Sequence, residues 1–321
     1  MAKKRITKRQ QKQMAKFAVA HWKIVLVLLL IVVALGVTAY FMGWLDFIFV
    51  EQNPVEDTAK PSSPTERMST AGGYTTTMTA PKDLVVNYLN VGQADCIVIY
   101  LPDGKTMIID SGDSSSDRDL IKEYTDAINT TTIDYLLLTH SDQDHVGNMD
   151  WIFANYDVRY VFRPNEKSNH DLSSELPEDF NTGADGGYVV TSKIYAKFMV
   201  AAYNEENCTC EIFDKNSDFS NKIICGETEY TYTFDFLTPL ANAKEVAYSN
   251  PNNYSPIMTL EYAGRKLMFN GDAELEALGE YVAEYGSTVN IDVLKVGHHG
   301  SRNATTEAFV SAVDPEYAVI Q

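Results

Sequence analysis

The sequence predicts an α/β protein: two similar half-sheets face each other, each covered outside by helices, behind one N-terminal membrane anchor. Three observations predict it. A strand–turn–strand–Asp–helix–strand–His unit occurs twice, over residues 97–140 and again over 258–298. Each copy brings acidic and imidazole side chains to strand ends, so two facing copies collect them at one edge. An uncharged run of 22 residues, 24–45, precedes both.

Taken in order, residues 1–23 carry eight Lys/Arg and no acid and read as a cytoplasmic head. At about 1.5 Å per residue, the run 24–45 is long enough to cross a hydrocarbon core of about 30 Å. Trp22 and Trp44 stand at its two ends, as in an aromatic belt. The positive-inside rule then sends the C-terminal bulk out of the cytoplasm. A cleaved signal peptide ending near Val37-Thr38-Ala39 is the competing reading; the apolar run continues past it, which favours an uncleaved single-pass anchor. Residues 46–83, with four prolines and many Ser and Thr, read as a flexible stalk. Residues 51–321 hold 18 Lys/Arg against 43 Asp/Glu, about −25 net, which argues against an electrostatic groove for long polyanions.

From residue 84 the texture is that of a folded domain running to 321. Strands are expected over 84–89, 96–101 and 106–109, with Pro102-Asp103-Gly104-Lys105 as the turn between the last two. A helix follows over 117–128, with Ser114 to Ser116 as candidate caps, then a buried strand over 133–138. Residues 147–156 read as helix and 160–162 as strand. The polar stretch 164–227 reads as an insertion, a candidate substrate-facing lid, with one helix over 188–203. Of the four cysteines, Cys96 sits in a core strand, and a disulfide from Cys225 to Cys208 or Cys210 is expected in an oxidising space.

Residues 139–147, Thr-His-Ser-Asp-Gln-Asp-His-Val-Gly, place His140, Asp142, Asp144 and His145 within six positions at a strand end. A solvated, helix-capping turn is the ordinary reading of such a loop. Against it, two of the six histidines lie here and two more, His298 and His299, recur in the second copy. Imidazole with carboxylate suits zinc, manganese or iron. With Asp272 contributed by the opposite half as a bridging carboxylate, the set can hold two divalent ions, Zn2+ or Mn2+. Asp110 and Asp113 read as orienters of a ligand histidine.

These residues resemble the metallo-β-lactamase superfamily, whose hallmark is His-x-His-x-Asp-His, and within it the extracytoplasmic domain of ComEC-type DNA-uptake proteins. The matching pieces are Asn90-Val-Gly-Gln-Ala-Asp95, Asp110-Ser-Gly112, Thr139 to Gly147, Asn252-Asn-Tyr-Ser255, Asn270-Gly-Asp272 and Leu294-Lys-Val-Gly-His-His-Gly-Ser301. The resemblance implies an αββα sandwich and hydrolysis of phosphodiesters, in nucleic acid or in an envelope polymer such as one bearing phosphorylcholine esters. It also implies that His140 and Asp142 serve one metal, and Asp144, His145 and His298 the other, with Asp272 between. Asp144, His299 and Lys295 are the candidate catalytic groups. His299 would be a general acid or phosphate contact, and Lys295 either a contact to an anionic substrate or a paired edge lysine. Asp110, Asn253 and Ser301 would stand behind the ligands; Ser301 could also meet a phosphate or cap the next helix.

The chain departs from the hallmark in three places. Asp142 stands where the second histidine should, and Asn252 to Ser255 occupy the region that usually supplies a third. The branch usually continues beyond Gln321 with a further loop, which points to a truncated C terminus. The alternative from another class is an anchored, non-catalytic binding module with a degenerate metal site.

Overall fold

The computed structural model describes residues 75–80, 82–177, 180, 187–242 and 245–321. The expected head, anchor and most of the stalk lie outside these. Among the described residues no helix is long and apolar enough to cross a membrane.

In chain order the elements are β1 (Thr75–Met78), β2 (Val85–Tyr88), β3 (Ile97–Tyr100), β4 (Thr106–Ile109), α1 (Ser115–Ala127), β5 (Thr132–Ile133), β6 (Tyr135–Leu137), α2 (Gln143–Val146) and α3 (Met149–Asn155). Then come β7 (Asp157–Val158), β8 (Tyr160–Arg163), β9 (Glu166–Ser168), β10 (Tyr188–Val190), α4 (Lys193–Asn204), β11 (Thr209–Ile212), β12 (Phe219–Cys225) and β13 (Thr228–Phe236). The last are β14 (Met258–Tyr262), β15 (Arg265–Phe269), α5 (Leu275–Glu284), β16 (Val293–Lys295), α6 (Glu307–Val313) and β17 (Tyr317–Val319).

One sheet runs β11-β8-β6-β4-β3-β2 and the other β1-β12-β13-β14-β15-β16-β17. The internal repeat is real at the level of pairing. β2, β3 and β4 are antiparallel neighbours, and β6 and β8 then add in parallel. β13, β14 and β15 are likewise antiparallel, with β16 and β17 adding in parallel.

Period-two alternation builds the layers. Ile97, Ile99, Met107, Ile109, Leu137 and Phe162 point between the sheets at Phe234, Phe236, Met258, Leu260 and Phe269. Their neighbours Val98, Ile108, Leu136 and Val161 point outward into Ile121, Met149, Ile152, Phe198 and Met199. On the far side, Met268 and Leu294 meet Ala277, Leu278, Tyr281 and Phe309. The result is the expected αββα arrangement. Each such aliphatic or aromatic side chain contributes about 1.5–3 kcal/mol when fully buried.

Several expectations are corrected. The end of the stalk, 75–78, is an ordered edge strand parallel to β12. The stretch 164–227 is not a simple insertion, because β11 extends the first sheet and β12 pairs along β13 in the second. The helix expected over 188–203 begins only at Lys193, where the Ser192 side chain accepts from Ile194 N, and residues 188–190 form β10. All four cysteines are free: Cys208 and Cys210 pack on the helix-covered side of the first sheet, whereas Cys225 packs between the sheets.

Candidate metal centre

Most of the site residues sit just past the end of a strand with a parallel neighbour, and Asp144 and His145 lie in α2, the short helix that follows β6. Asp110 follows β4, His140 follows β6, Asp272 follows β15, and His298 and His299 follow β16. Two close approaches let the loops meet. A side chain at Gly147 would put its Cβ 2.5 Å from the Gly112 carbonyl oxygen, and one at Gly271 would fall 2.8 Å from Thr139 Cβ. Glycine at 271 therefore lets the Asn-Gly-Asp turn of one half lie against the ligand loop of the other. Asp142 occupies the position before α2, but its carboxylate makes no capping hydrogen bond. It faces His140 Nε2 at 3.7 Å instead, which removes the helix-capping reading of this loop.

Asp272 Oδ2 is the centre of the site. His145 Nε2 lies 3.3 Å from it, His299 Nε2 3.6 Å, His298 Nε2 3.7 Å and His140 Nε2 4.0 Å. Burial alone would raise the Asp272 pKa, but His145, His140 and His299 together hold it well below the usual carboxylate range. The imidazole of His145 is pushed the other way: burial opposes its charge, and Asp110 and Asp272 overcome that and raise it. The neighbouring His140 lowers the Asp142 carboxyl. For Asp144 burial again opposes, and His299, with Nε2 3.3 Å from its Oδ2, brings the net shift down.

The donor set fits a divalent cation. The Nε2 atoms of His140, His145 and His299 and Oδ1 of Asp272 are buried with no hydrogen-bond partner. Orphaned buried polar atoms are costly, and four converging on one point ask for a positive ion. Among the described residues three groups of side chains bring their ligand atoms within 4.8 Å of one another: His140, His145 and Asp272; Asp144, His145 and His299; and Asp95, Asp110 and His145.

The rings are fixed from behind. His145 Nδ1 donates to Asp110 Oδ2 at 2.8 Å, and Asp110 also accepts from Thr139 N and Oγ1 at 2.8 and 2.7 Å. His140 Nδ1 lies 3.2 Å from the hydroxyls of both Thr139 and Ser255. His298 Nδ1 is 2.8 Å from Glu274 Oε1 and 3.3 Å from Asn252 Nδ2.

Five site expectations change. It is His299, not His298, that joins Asp144 and His145; the His299 side chain is 6% exposed and that of His298 28%, and both border an open pocket with Gly92, Gln93, Gly300, Ser301 and Gln321. Both histidines have φ near +50°, a left-handed backbone costing about 1–2 kcal/mol each in non-glycine residues, which is why register along the strand did not identify the inner ring. Lys295 is paired, as one of its two readings had it, but not at an edge: it is fully buried in a strand flanked on both sides, with Nζ 2.6 Å from Asp95 Oδ2. Asn253 touches no histidine, its Oδ1 accepting from the Glu274 and Ala277 amides at the start of α5. Asp113 accepts from Gln143 Nε2, and Ser301 from Asn303 N, while Thr306 caps α6. Glu274, Asp95 and Asn252 are the residues that sequence reasoning missed as partners of the histidines. Only Asp95 and Asn252 lay in motifs that drew notice.

Residues 89–206 match the family profile described as the Metallo-beta-lactamase superfamily. Over that segment the chain is similar to the metallo-β-lactamase superfamily. Asp272, His298 and His299 lie beyond the matched segment and come from the second copy of the repeat. Over 251 residues the chain is 24% identical to ComE operon protein 3 of Bacillus subtilis (strain 168), covering 73% of this chain and 28% of that protein. It is 32% identical over 98 residues to Competence protein ComA of Neisseria gonorrhoeae, 30% of this chain and 14% of that protein. The chain thus spans under a third of the length of these relatives. Among solved structures, the CmlA beta-hydroxylase E377D mutant gives a TM-score of 0.41 at 14% identity, over 74% of this chain and 45% of that one.

Close to the 139–147 ligand loop, Glu166 is a fully buried carboxyl: Ser141 Oγ donates to its Oε1 at 3.1 Å, and its Oε2 has no hydrogen-bond partner. Burial pushes its pKa well above the ordinary value, Asp142 adds to the rise, and Ser141 and Arg163 offset it only in part. The folded chain therefore keeps a proton that the unfolded chain gives up above about pH 4.3, so stability is lost as pH climbs from there towards the folded pKa. Glu166→Gln should melt with wild type near pH 4 and above it at pH 7.5. Thermal unfolding at both pH values checks this, and parallel pH profiles would refute it.

Proposed function

We propose that the chain is a membrane-anchored, extracytoplasmic hydrolase of phosphodiester bonds working with two divalent ions, zinc foremost. One observation carries the proposal: a single carboxylate oxygen, Asp272 Oδ2, lies within 4.0 Å of four imidazole Nε2 atoms. His140 and Asp142 would hold one ion and Asp144, His145 and His299 the other, with Asp272 shared. Ions so held supply an activated water and charge stabilisation for phosphoryl oxygens.

The remaining work falls to side chains. His298 is the more exposed of the two imidazoles at the pocket, and Glu274 behind its Nδ1 fixes the ring, so that Nε2 can deliver a proton to a leaving oxygen. Gly92 and Gln93 bound the same pocket and leave it open to an extended substrate. The competence proteins among its relatives support a nucleic-acid substrate. The acidic composition favours short or already metal-bridged strands over long duplexes.

The test is a screen of the purified chain with bis-p-nitrophenyl phosphate, single-stranded DNA, phosphorylcholine esters and a chromogenic β-lactam, with and without zinc or manganese. Metal-dependent cleavage of the first two is expected. Failure to bind metal, with no activity on any substrate, would leave the binding-module reading in its place.

A further inference from the structure

Asp95 belongs to the Asn90-to-Asp95 motif, in the loop between β2 and β3, and takes no direct part in the reaction proposed above. Its carboxylate is buried and divided between two neighbours from the other half of the fold. Oδ2 takes the Lys295 ammonium at 2.6 Å. Oδ1, which has no hydrogen-bond partner, faces His299 Nδ1 at 3.4 Å. Lys295 Nζ otherwise donates to the Val296 carbonyl oxygen at 3.0 Å. The backbone of Asp95 is also tied in: its N–H donates to Asp144 O at 3.2 Å, and its carbonyl accepts from Gly112 N at 2.8 Å.

The opposite nitrogen of the same ring lies among carboxylates: His299 Nε2 is 3.3 Å from Asp144 Oδ2 and 3.6 Å from Asp272 Oδ2. Left to those neighbours, a neutral imidazole would place its proton on Nε2, becoming a hydrogen-bond donor and no longer a ligand. Two acceptors oppose this at Nδ1, namely Asp95 Oδ1 and the Gln321 carbonyl oxygen at 3.2 Å. Lys295 has only donors, so it fixes which carboxylate oxygen it takes and leaves the other purely an acceptor.

We propose that Lys295 and Asp95 are a positioning pair that holds the His299 proton on Nδ1 and thereby makes its Nε2 a metal ligand. This rests on the hydrolase reading for its purpose, but its test does not need turnover. In Asp95→Asn the amide oxygen stays with Lys295 and the amide nitrogen turns a donor towards Nδ1. In the double variant Asp95→Asn/Lys295→Met the amide is free to turn its oxygen to the ring, and no buried charge is left alone.

The experiment uses the full chain with 15N-labelled histidine, six residues in all, loaded with zinc. Ring nitrogen shifts are read by NMR, zinc affinity by competition with a chelating indicator, and stability by thermal unfolding. Wild type should show His299 with Nδ1–H and a zinc-bound Nε2. Asp95→Asn should lose that signature and about 10–100-fold in zinc affinity, the range for residues behind a metal ligand. The double variant should recover most of both. Wild-type zinc affinity in Asp95→Asn, or no recovery in the double variant, overturns the proposal. So does a wild-type His299 protonated at Nε2, an outcome that needs no variant to fold. A chain that binds zinc as described yet cleaves no phosphodiester would overturn the substrate reading alone.

Discussion

Asp272→Asn should abolish hydrolysis while the chain still folds. The carboxylate makes no hydrogen bond to the scaffold through its side chain; the residue is held by its own N–H, which donates to Ser255 Oγ at 3.1 Å. Its Oδ1 is orphaned, and Oδ2 faces imidazole nitrogens within 4.0 Å. The isosteric amide removes the negative charge the four rings converge on and puts an N–H donor where a cation needs an oxygen ligand. Activity should fall at least about 100-fold, the scale seen when an electrostatic contact of a reaction centre is removed. Metal content should drop below that of wild type in the same preparation. Circular dichroism and a cooperative melt check the fold, and elemental analysis checks the metal. Near-wild-type turnover would sink the bridging assignment.

What the sequence showed of this centre, and what it hid, follows from the range of each interaction. Local patterns were legible. The strand at residues 106–109 is found where its strand-like run put it, and α1, expected over 117–128 behind caps at Ser114 to Ser116, starts at Ser115 after Ser114, with the Asp117 carboxylate accepting from the amides of Asp113 and Ser114. The repeat was legible because two hairpins and two Asp–helix–His runs share an order, and that order alone brings Asp272 to His145. Contacts that bridge distant positions were not. Glu274 reaches His298 across 24 residues and two elements, and Asp95 reaches Lys295 from the other half of the fold. The choice between His298 and His299 turned on a left-handed backbone at both residues, which has no signature when neither is glycine. The stretch 188–203 misled for a different reason. An apolar run is compatible with strand or helix, and the boundary lay in Ser192, a cap not used as a stop.

Asp110→Ala should be the most destabilising single change among the residues behind the ligand histidines, and Asp110→Asn should separate its two duties. The residue is fully buried at φ 56°, a left-handed conformation that aspartate tolerates better than alanine. Alanine would leave the Thr139 N–H, the Thr139 hydroxyl and the His145 Nδ1–H without their acceptor. At about 1–3 kcal/mol for each of these three stranded buried donors, a loss of roughly 3–9 kcal/mol is expected. That is a large part of the ordinary 5–15 kcal/mol stability of a domain. Asparagine keeps an oxygen for Thr139 N, and the threonine hydroxyl can reverse to accept from the new amide. The His145 ring cannot adapt without cost: facing an N–H, its Nδ1 must become an acceptor, which moves the proton to Nε2, the atom aimed at Asp272. Asp110→Asn should therefore melt within a few degrees of wild type and yet lose metal affinity and activity together. Equal losses of stability in the two variants would mean that Asp110 serves the fold alone.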